Sequence, residues 1–373
     1  MTTFRKMKLV YIYADNEKEW NCSEWLCAMR MRAMLAAGHS AEMFSVAEFV
    51  GQPTKCHLAC ESADIIFVER NLSGPVLNEI LNWRLLFGKP VVALFDDANH
   101  LLPTTNVVYK HWIGGYINHL DGGLEVADPK PIDQFALGLH ICSAFITPSE
   151  KLLDRWGAYT KGYFLPNHLE LPRYQGIEVV PHPGEIWIGW GGSVSHFESV
   201  ENAGVIAGLK RVCARHPEVK MIVQTSDPRV LKSMRDIPEK QRIYRKWVKY
   251  DKWPQQLAQW DISLAVVKGE YDAHRSLIHL EEPLALDKPV TTIASDSAPY
   301  NNVKGVAVMA ANTVRDWEAA IEEVVSHLDK YREWSAGYPH QWALGYDIAQ
   351  HVPMMEKIYQ EIIDHERSLN QDL

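Results

Sequence analysis

The sequence of 373 residues predicts an α/β protein built from two doubly wound domains in tandem. Short apolar runs of strand length alternate with helical patterns through almost the whole chain. These runs are apolar on both faces, which indicates parallel strands covered by helices on both sides of a sheet. The chain is also longer than the roughly 100 to 200 residues that are typical of one domain.

The first alternating series extends from residue 8 to residue 167 and predicts the N-terminal domain. Apolar runs place its strands at 8–13, 41–46, 64–69, 90–95, 144–148 and 162–167. Amphipathic stretches place its helices at 23–37, 74–87, 132–142 and onward from Glu150. Because a helix separates most consecutive strands, the pattern favours parallel pairing throughout this sheet.

Periodicity is lost over 170–184, a stretch rich in Pro and Gly, and we place the domain boundary there. A second series follows, with a helix at 200–216 and strands at 186–190, 219–226, 242–248, 261–267, 289–295 and 306–311. We therefore assign 1–172 to the N-terminal domain, 173–183 to a linker, 184–340 to the C-terminal domain and 341–373 to a C-terminal helix. No strand follows that helix, so it is a candidate for crossing back to the first domain.

The bulk properties exclude several classes of protein. A formal net charge of −9 argues against a chain that coats nucleic acid or an anionic membrane. No apolar stretch approaches the roughly 18 residues of a membrane span, and no signal-peptide pattern is present, so we expect a cytoplasmic protein. The six cysteines form no C-x-x-C pair and are expected to be reduced thiols. Cys56, His57 and Cys60 lack a fourth metal ligand, which favours a packed helical face instead.

Two adjacent glycines follow the strand at 186–190. Gly191 and Gly192 let the backbone approach an anion, while Ser193, Ser195 and His196 supply hydrogen-bond donors. The spacing matches neither G-x-G-x-x-G nor a P-loop. Double glycines often only make a turn, and that alternative stays open at this point.

The segment after the strand at 261–267 is rich in ionisable residues. We expect a helix to begin near Arg275 and Ser276, so that its N–H groups and positive dipole end favour phosphate, with Arg275 as a cationic ligand. In a regular helix His274 and Glu282 share one face. Glu281 then points about 100° away and is expected to be exposed to solvent.

The segment 232–253 contains eight Lys or Arg residues against three acids. Tyr244, Trp247, Tyr250 and Trp253 are interleaved with them, a composition that suits nucleic acid. The alternative is a basic, solvated helix and an edge strand whose aromatic residues pack inward. We favour that alternative because the protein as a whole is acidic.

In the first domain, the strand at 90–95 leads directly into Asp96, Asp97 and His100. Adjacent side chains of an extended chain point in opposite directions, so the two carboxylates are not expected to face one ligand. One aspartate is then a cap or turn acceptor. The other, together with His100, is a candidate general base.

Several short motifs together resemble one enzyme family. They are Pro166-Asn167, the glycine turn at 189–193, and the segment 282–290, EPLALDKPV. With the two Rossmann-like halves, they resemble retaining glycosyltransferases of the GT-B fold, specifically family 4 (group 1 glycosyltransferases). Members carry E-x7-E followed by small residues and P-V. Residues 275–282, RSLIHLEE, are similar to the K-S-x-x-K-x-x-E of a subgroup.

The resemblance implies a donor site for a nucleotide-sugar. It implies ribose at Glu282, diphosphate at the N–H groups of Ser276 and Leu277 with Gly192 and Ser193 opposite, and the base beside Trp247 and Val248. His274 stands where the first glutamate is expected, and Ser193 where many members have a phosphate-binding Arg. Phosphate charge is then left to Arg275 and His196. The chain has no D-x-D triplet, which fits a metal-independent GT-B enzyme.

We therefore predict a retaining glycosyltransferase that uses a nucleotide-sugar, with UDP- and GDP-sugars as the foremost donors. Arg275 and His196 stabilise the leaving diphosphate, and Asp97, Asp96 and His100 serve the acceptor side, in the N-terminal domain. The acceptor is unidentified. Two alternatives are a transferase that glycosylates modified nucleobases in DNA and a non-catalytic nucleotide-sugar-binding protein of the same fold.

Overall fold

The structure, a computed structural model, describes residues 5–16, 20–51, 55–118, 124–180 and 182–371. The chain forms two compact units. Unit 1 contains the described residues up to His168 and those from Ile348 onward, and unit 2 is Leu169–Asp347. Residue 181, in the predicted linker, and residues 1–4 and 372–373, in the predicted terminal segments, lie outside the described residues.

Unit 1 is organised around a parallel sheet. Its strands are β1 (Lys8–Tyr13), β2 (Ser40–Ser45), β3 (Ile65–Glu69), β4 (Val91–Leu94), β5 (Tyr116–Asn118), β6 (Leu124–Val126), β7 (Ala144–Thr147) and β8 (Gly162–Phe164). Within the described residues, six of them form the sheet in the order β2-β1-β3-β4-β7-β8, with every pair parallel. β5 and β6 form a separate antiparallel pair.

Helices connect the strands of unit 1. They are α1 (Met29–Ala36), α2 (Val46–Val50), α3 (Lys55–Ser62), α4 (Pro75–Leu81), α5 (Tyr109–Trp112), α6 (Pro131–Ile141) and α7 (Glu150–Trp156). Wider π-helical turns, Glu24–Ala28 and Asn82–Leu86, precede α1 and follow α4. Cys56 and Cys60 lie buried on α3, as the packed-face interpretation predicts, and all six cysteines are free thiols.

Unit 2 repeats the same architecture. Its strands are β9 (Ile186–Gly191), β10 (Val219–Thr225), β11 (Arg242–Lys246), β12 (Ile262–Ala265), β13 (Thr291–Ser295) and β14 (Val308–Ala310). In the described part of this unit they form one parallel sheet in the order β11-β10-β9-β12-β13-β14. The predicted fold class is therefore confirmed, and β11 is an edge strand as expected.

The helices of unit 2 are mostly short. They are α8 (Val194–Asn202), α9 (Val205–Arg215), α10 (Trp253–Leu257), α11 (Gly269–Asp272), α12 (Ile278–Leu284), α13 (Val314–Ser326), α14 (Leu328–Ser335) and α15 (Tyr338–Leu344). Single 3₁₀ turns lie at Pro228–Lys232, Glu239–Gln241 and Tyr250–Lys252. On one face of the sheet, α9 and α13 bury an apolar core that includes Ile188, Met221 and Trp317.

The last helix, α16 (Ile348–Gln371), belongs to unit 1. Its Tyr359 ring lies 4.6 Å from the ring of Phe67 on β3, and its Glu356 carboxylate is 2.9 Å from His39 Nε2. His39 Nδ1 accepts a hydrogen bond from the Met7 N–H, so Nε2 carries the proton and donates to Glu356. None of the helices in the described part of the chain combines the length and the apolar character that a membrane span requires.

The predicted single helix at 200–216 is wrong in one respect, because the structure has two helices there. Gly204 separates α8 from α9 with φ of +89°, a left-handed conformation that favours glycine. A Cβ at this position would lie 2.7 Å from the backbone nitrogen of Val314. The chain therefore turns at Gly204 while α9 packs closely against the start of α13.

Gly204→Ala is expected to lower the free energy of unfolding by about 3 kcal/mol or more, because left-handed strain of about 1 to 2 kcal/mol adds to a steric clash. Gly184→Ala is the matched control in the same unit. Gly184 has φ of +77° but no atom within 4 Å of an added Cβ, so only the strain applies. Urea denaturation of both variants measures the difference, and equal losses would contradict the close packing at Gly204.

Candidate functional site

The carboxyl edge of the unit 2 sheet has the geometry of a ligand site. β9 is followed in the chain by β10 on one side, whereas β12 lies on its other side and is followed by β13. The strand order thus reverses between β9 and β12, and ligands of doubly wound sheets bind at such switch points. The two connections that leave these strands contain most of the predicted donor-binding residues.

The first connection leaves β9 and begins α8. Ser193 is the N-cap residue, in extended conformation, and α8 begins at the next residue rather than at residue 200. Ser195 and His196 therefore lie in the first turn of α8, and the Ser193 and Ser195 hydroxyl oxygens are 3.0 Å apart. His196 Nδ1 is buried and has no hydrogen-bond partner within the described residues.

Packing explains why glycines occupy the turn after β9. A Cβ on Gly191 would lie 2.2 Å from the Trp253 ring, and one on Gly192 would lie 3.0 Å from the Trp190 ring. The Gly192 N–H donates to the carbonyl of Gln224 on β10 at 3.1 Å. The absence of a side chain at these two positions therefore leaves space for the indole rings of Trp253 and Trp190.

The second connection runs from β12 through α11 to α12. Helix α12 begins at Ile278, with Leu277 as its N-cap, so the predicted start near Arg275 and Ser276 is wrong by about three residues. A turn intervenes because α11 ends at Asp272. His274 lies in that turn and not on α12, so it does not share a helical face with Glu282. Its Nδ1–H donates to the Glu270 carbonyl at 2.8 Å.

Tyr271 joins the two connections and was missed in the sequence. Its ring centroid lies 6.3 Å from that of His196, and the Arg275 guanidinium carbon lies 5.6 Å from the Tyr271 ring centroid. Arg275 is buried, at 9% exposure, and its Nε is 3.0 Å from Asp272 Oδ1. Two predicted phosphate-binding residues, on different connections, are thus brought to one aromatic ring.

Ser276 and Leu277 are half-buried in the segment that enters α12. The Leu277 carbonyl accepts hydrogen bonds from the N–H groups of Leu280 at 2.8 Å and Glu281 at 3.1 Å, which starts the helix. His279, in the first turn, has its pKa lowered to about 4 by burial and by the neighbouring Arg275 charge. A neutral imidazole therefore flanks Arg275 at pH 7.

Glu282 is buried and accepts hydrogen bonds from aromatic side chains. Its Oε1 accepts a hydrogen bond from the Tyr174 hydroxyl at 2.8 Å, and that hydroxyl is 3.0 Å from the Tyr250 hydroxyl. Burial raises the pKa of Glu282 to about 7, although hydrogen bonds from Tyr174 and Trp253 oppose the shift. Trp253 also covers Gly191, so Glu282 is connected to the turn after β9 through one indole.

The prediction that Glu281 is exposed is wrong, because only 1% of the residue is accessible. Helix α12 packs against β12, β13 and α15. These elements cover the face of the helix that carries Glu281 as well as the face that carries Glu282. Burial, followed by repulsion from Glu282, holds the pKa of Glu281 well above its usual range. Its Oε2 has no hydrogen-bond partner in the part of the chain that the structure describes.

Trp247 and Val248 follow the edge strand β11. The Trp247 N–H donates to the Thr225 carbonyl at 3.1 Å, and its ring is nearly parallel to that of Trp253, with centroids 6.4 Å apart. Tyr250 is buried. The aromatic residues of the basic segment 232–253 are thus packed against the fold, and the predicted solvated helix is replaced by two 3₁₀ turns. The DNA-binding alternative gains no support.

In unit 1, the predicted residues lie at the carboxyl end of β4. Asp96 and Asp97 are half-buried, and one oxygen of each lies within 4.8 Å of the other and of Cys22 Sγ. The expectation that the two carboxylates point apart is wrong, because β4 ends at Leu94 and strand alternation no longer applies. His100 is half-buried, with its ring edge-on to Trp156 at 5.1 Å.

A charged cluster next to Asp96 was also missed. Arg70 follows β3 with φ of +33°, an uncommon conformation for a residue with a side chain. Its guanidinium donates to Asp15 and lies 3.5 Å from Glu69 Oε1. Burial, then the charge of Asp97, raises the pKa of Asp96 to about 8, while Arg70 opposes the shift. Asp96 is therefore a carboxyl group able to exchange a proton near neutral pH.

Among the described residues, the group with the spacing of metal ligands is Cys22, Asp96 and Asp97. One thiol and two carboxylates form an incomplete set for a structural metal, which usually has four protein ligands. The absence of a metal requirement stays a prediction.

Comparisons with known proteins add to this geometry. No protein-family model and no curated protein sequence matches the chain. Among solved structures, it is similar to sucrose-phosphate synthase from Thermosynechococcus elongatus, with a TM-score of 0.67 and 10% identity, covering 96% of this chain and 100% of that one. It is also similar to the catalytic domain of starch synthase IV from Arabidopsis thaliana, bound to ADP and acarbose. The TM-score is 0.58 and the sequence identity 8%, covering 96% of this chain and 100% of that one.

A third similar structure is an isomerase rather than a synthase. UDP-GlcNAc 2-epimerase from Neisseria meningitidis, bound to UDP-GlcNAc, gives a TM-score of 0.51 and 12% identity, covering 94% of this chain and 100% of that one. Identities this low establish the fold alone. With its two parallel sheets, the chain is an α/β protein of the GT-B fold, as the sequence predicts.

Proposed function

We propose that the protein is a glycosyltransferase that transfers a sugar from a nucleotide-sugar to an acceptor. The observation that carries this proposal is the approach of His196 and Arg275 to Tyr271 at the switch point of a GT-B unit. A sugar diphosphate needs cationic and N–H donors where its charge develops on bond cleavage, and electrostatic stabilisation of this kind is usually the largest catalytic term.

In the proposed reaction, the bond between the anomeric carbon and the diphosphate oxygen breaks. Arg275, His196 and the N–H groups of Ser276 and Leu277 stabilise the charge left on the diphosphate, opposite the turn at Gly192 and Ser193. Glu282 is proposed to bind the ribose and Trp247 with Val248 the base. An acceptor hydroxyl oxygen then bonds to the anomeric carbon, and its proton passes to the leaving phosphate. Attack on the face from which the diphosphate leaves would give the retention of configuration that the resemblance to family 4 implies.

The acceptor is proposed to bind in unit 1. Asp96 and Asp97 lie together at the carboxyl end of β4, with His100 three residues further along the chain, and these groups are proposed to hold the acceptor hydroxyl by hydrogen bonds while its proton passes to the leaving phosphate. The proposed chemistry uses these protein groups and no metal. UDP- and GDP-sugars are the foremost candidate donors, and the complexes of similar structures with ADP and UDP-GlcNAc support a nucleotide-sugar in general.

A thermal-shift screen against UDP-, GDP-, ADP- and CMP-sugars tests the proposal. A ligand at about a hundred times its Kd stabilises the native state by about 2.7 kcal/mol, so a true donor gives a clear rise in Tm. Donors that raise Tm are then assayed for nucleotide release with and without candidate acceptors. Binding without any turnover would favour a non-catalytic binding protein, and an epimerised sugar product would favour an epimerase. If none of these nucleotide-sugars binds, the proposed transferase and both of these alternatives are contradicted.

A further inference from the structure

We propose that Asp272 is the positioning residue that holds the two phosphate-binding connections of unit 2 in register and orients Arg275. The inference rests on the proposed function, because it assigns a role within the diphosphate site. Asp272 lies in the last turn of α11, three residues before Arg275, and only 1% of it is accessible. No sequence pattern singled it out.

Asp272 contacts three different parts of the unit. Its Oδ2 accepts a hydrogen bond from the Ser199 hydroxyl on α8 and another from the Lys268 N–H at 2.7 Å. Its Oδ1 lies 3.0 Å from Arg275 Nε. Ser199 belongs to the connection that leaves β9, whereas Lys268 and Arg275 belong to the connection that leaves β12. One buried carboxylate therefore bonds to both connections.

A second contact holds the connections together in the same place. The Lys268 ammonium donates to the carbonyl of Asn202 at the end of α8. Because Ser193 caps α8 and Ser195 and His196 lie in its first turn, the position of α8 relative to β12 sets the distance between those donors and Arg275. Ser199 lies between these donors and Asn202, so its bond to Asp272 fixes the middle of α8.

The ion pair also determines how Arg275 is presented. Arginine has five N–H donors in a rigid planar fork, and the Asp272 carboxylate lies on the Nε side of that fork as an ion-pair partner. Tyr271 lies against the same guanidinium. Without Asp272, Arg275 would be a buried cation lacking its carboxylate partner, which favours rotation of the side chain towards solvent. We therefore assign the orientation of Arg275 to Asp272.

The experiment compares affinity for UDP, ADP and GDP with affinity for the matching nucleosides, by isothermal titration calorimetry on the full chain. Asp272→Asn keeps the shape and one acceptor oxygen but removes the charge. It is expected to weaken diphosphate binding about tenfold or more and to leave nucleoside binding within about twofold. A purely structural role would lower Tm without changing the ratio of the two affinities, and this outcome would overturn the inference.

Two further variants serve as a control and as an independent test of the link to α8. Asp261→Asn is the matched control, because Asp261 also accepts a backbone N–H, from Trp187 at 2.8 Å, and pairs with an arginine, Arg332, but at the amino end of β12. It is expected to leave the affinity ratio unchanged. Ser199→Ala removes one hydrogen bond to Asp272 and is expected to change the ratio in the same direction by a smaller factor. An unchanged ratio in a folded Ser199→Ala would contradict the proposed link to α8.

A double variant separates positioning from direct binding. If Asp272 acts through Arg275, adding Asp272→Asn to Arg275→Gln causes little further loss of diphosphate affinity. Additive losses would contradict the inference. Failure of the proposed function is distinguishable, because in that case the wild-type protein itself would prefer none of the diphosphates over its nucleoside.

Discussion

Arg275→Gln is expected to lower kcat/KM for sugar transfer by at least about a hundredfold. Removing one preorganised donor to a developing negative charge typically costs about 10² to 10³ in rate. Arg275 is buried beside Tyr271 and is held by Asp272, so no solvent-exposed lysine can readily replace it. Steady-state kinetics with the donor selected by thermal shift measures the effect.

Arg332→Gln is the control for the loss of a paired arginine. Arg332 pairs with Asp261 at the opposite end of β12, away from the proposed phosphate site, and its replacement should leave kcat/KM within about twofold. Arg275→Lys keeps the charge but not the planar fork, and an intermediate rate is expected. Wild-type activity in Arg275→Gln would show that the phosphate charge is stabilised elsewhere.

The stability of the protein is expected to fall as pH rises from about 4.5 to about 7 through the contribution of Glu282. Its ordinary pKa is 4.5, and in the folded chain it is about 7, so in this interval the folded state retains a proton that the unfolded state has lost. A state that binds more protons loses relative stability as pH rises. The contribution reaches about 3 kcal/mol above pH 7, since each unit of pKa corresponds to about 1.4 kcal/mol.

Glu282→Gln removes this titration and keeps an oxygen that can accept from Tyr174. The difference in unfolding free energy between the variant and the wild type should therefore shift in favour of the variant between pH 5 and pH 8. Urea denaturation followed by tryptophan fluorescence measures it. Glu318→Gln, on an exposed ion-paired surface, is the control and should show no such shift of that sign. A pH-independent difference for Glu282→Gln would contradict the buried titration.

The fold could be predicted from local sequence because the residues of each strand indicate whether one or both of its faces are buried. Runs such as KLVYIY and the stretch IIFVE of β3 are apolar on both faces, and only a covered parallel sheet accommodates several of them. Helix ends were predicted less well. Gly204 interrupts a continuous amphipathic pattern, and the turn after Asp272 delays α12, because tertiary contacts outweigh periodicity at those positions.

The candidate site was predicted in part for a similar reason. Chain position after a strand was enough to select Ser193, His196 and Arg275, since carboxyl ends of parallel strands share one edge. Partners from distant segments had no local signal: Tyr174 reaches Glu282 across 108 residues, and Ser199 reaches Asp272 across 73. Burial of Glu281 depends on the strands and helices that pack around α12, and a helical projection of the sequence does not show these elements.

The location of a bound nucleotide tests the central claim most directly. In a crystal structure of the protein with the donor selected by thermal shift, or its nucleoside diphosphate, we predict diphosphate oxygens within about 3.2 Å of donors from both connections of unit 2. Those donors are Arg275 or the N–H groups of Ser276 and Leu277, and residues in the first turn of α8. A diphosphate bound at any other edge of either sheet would contradict the account.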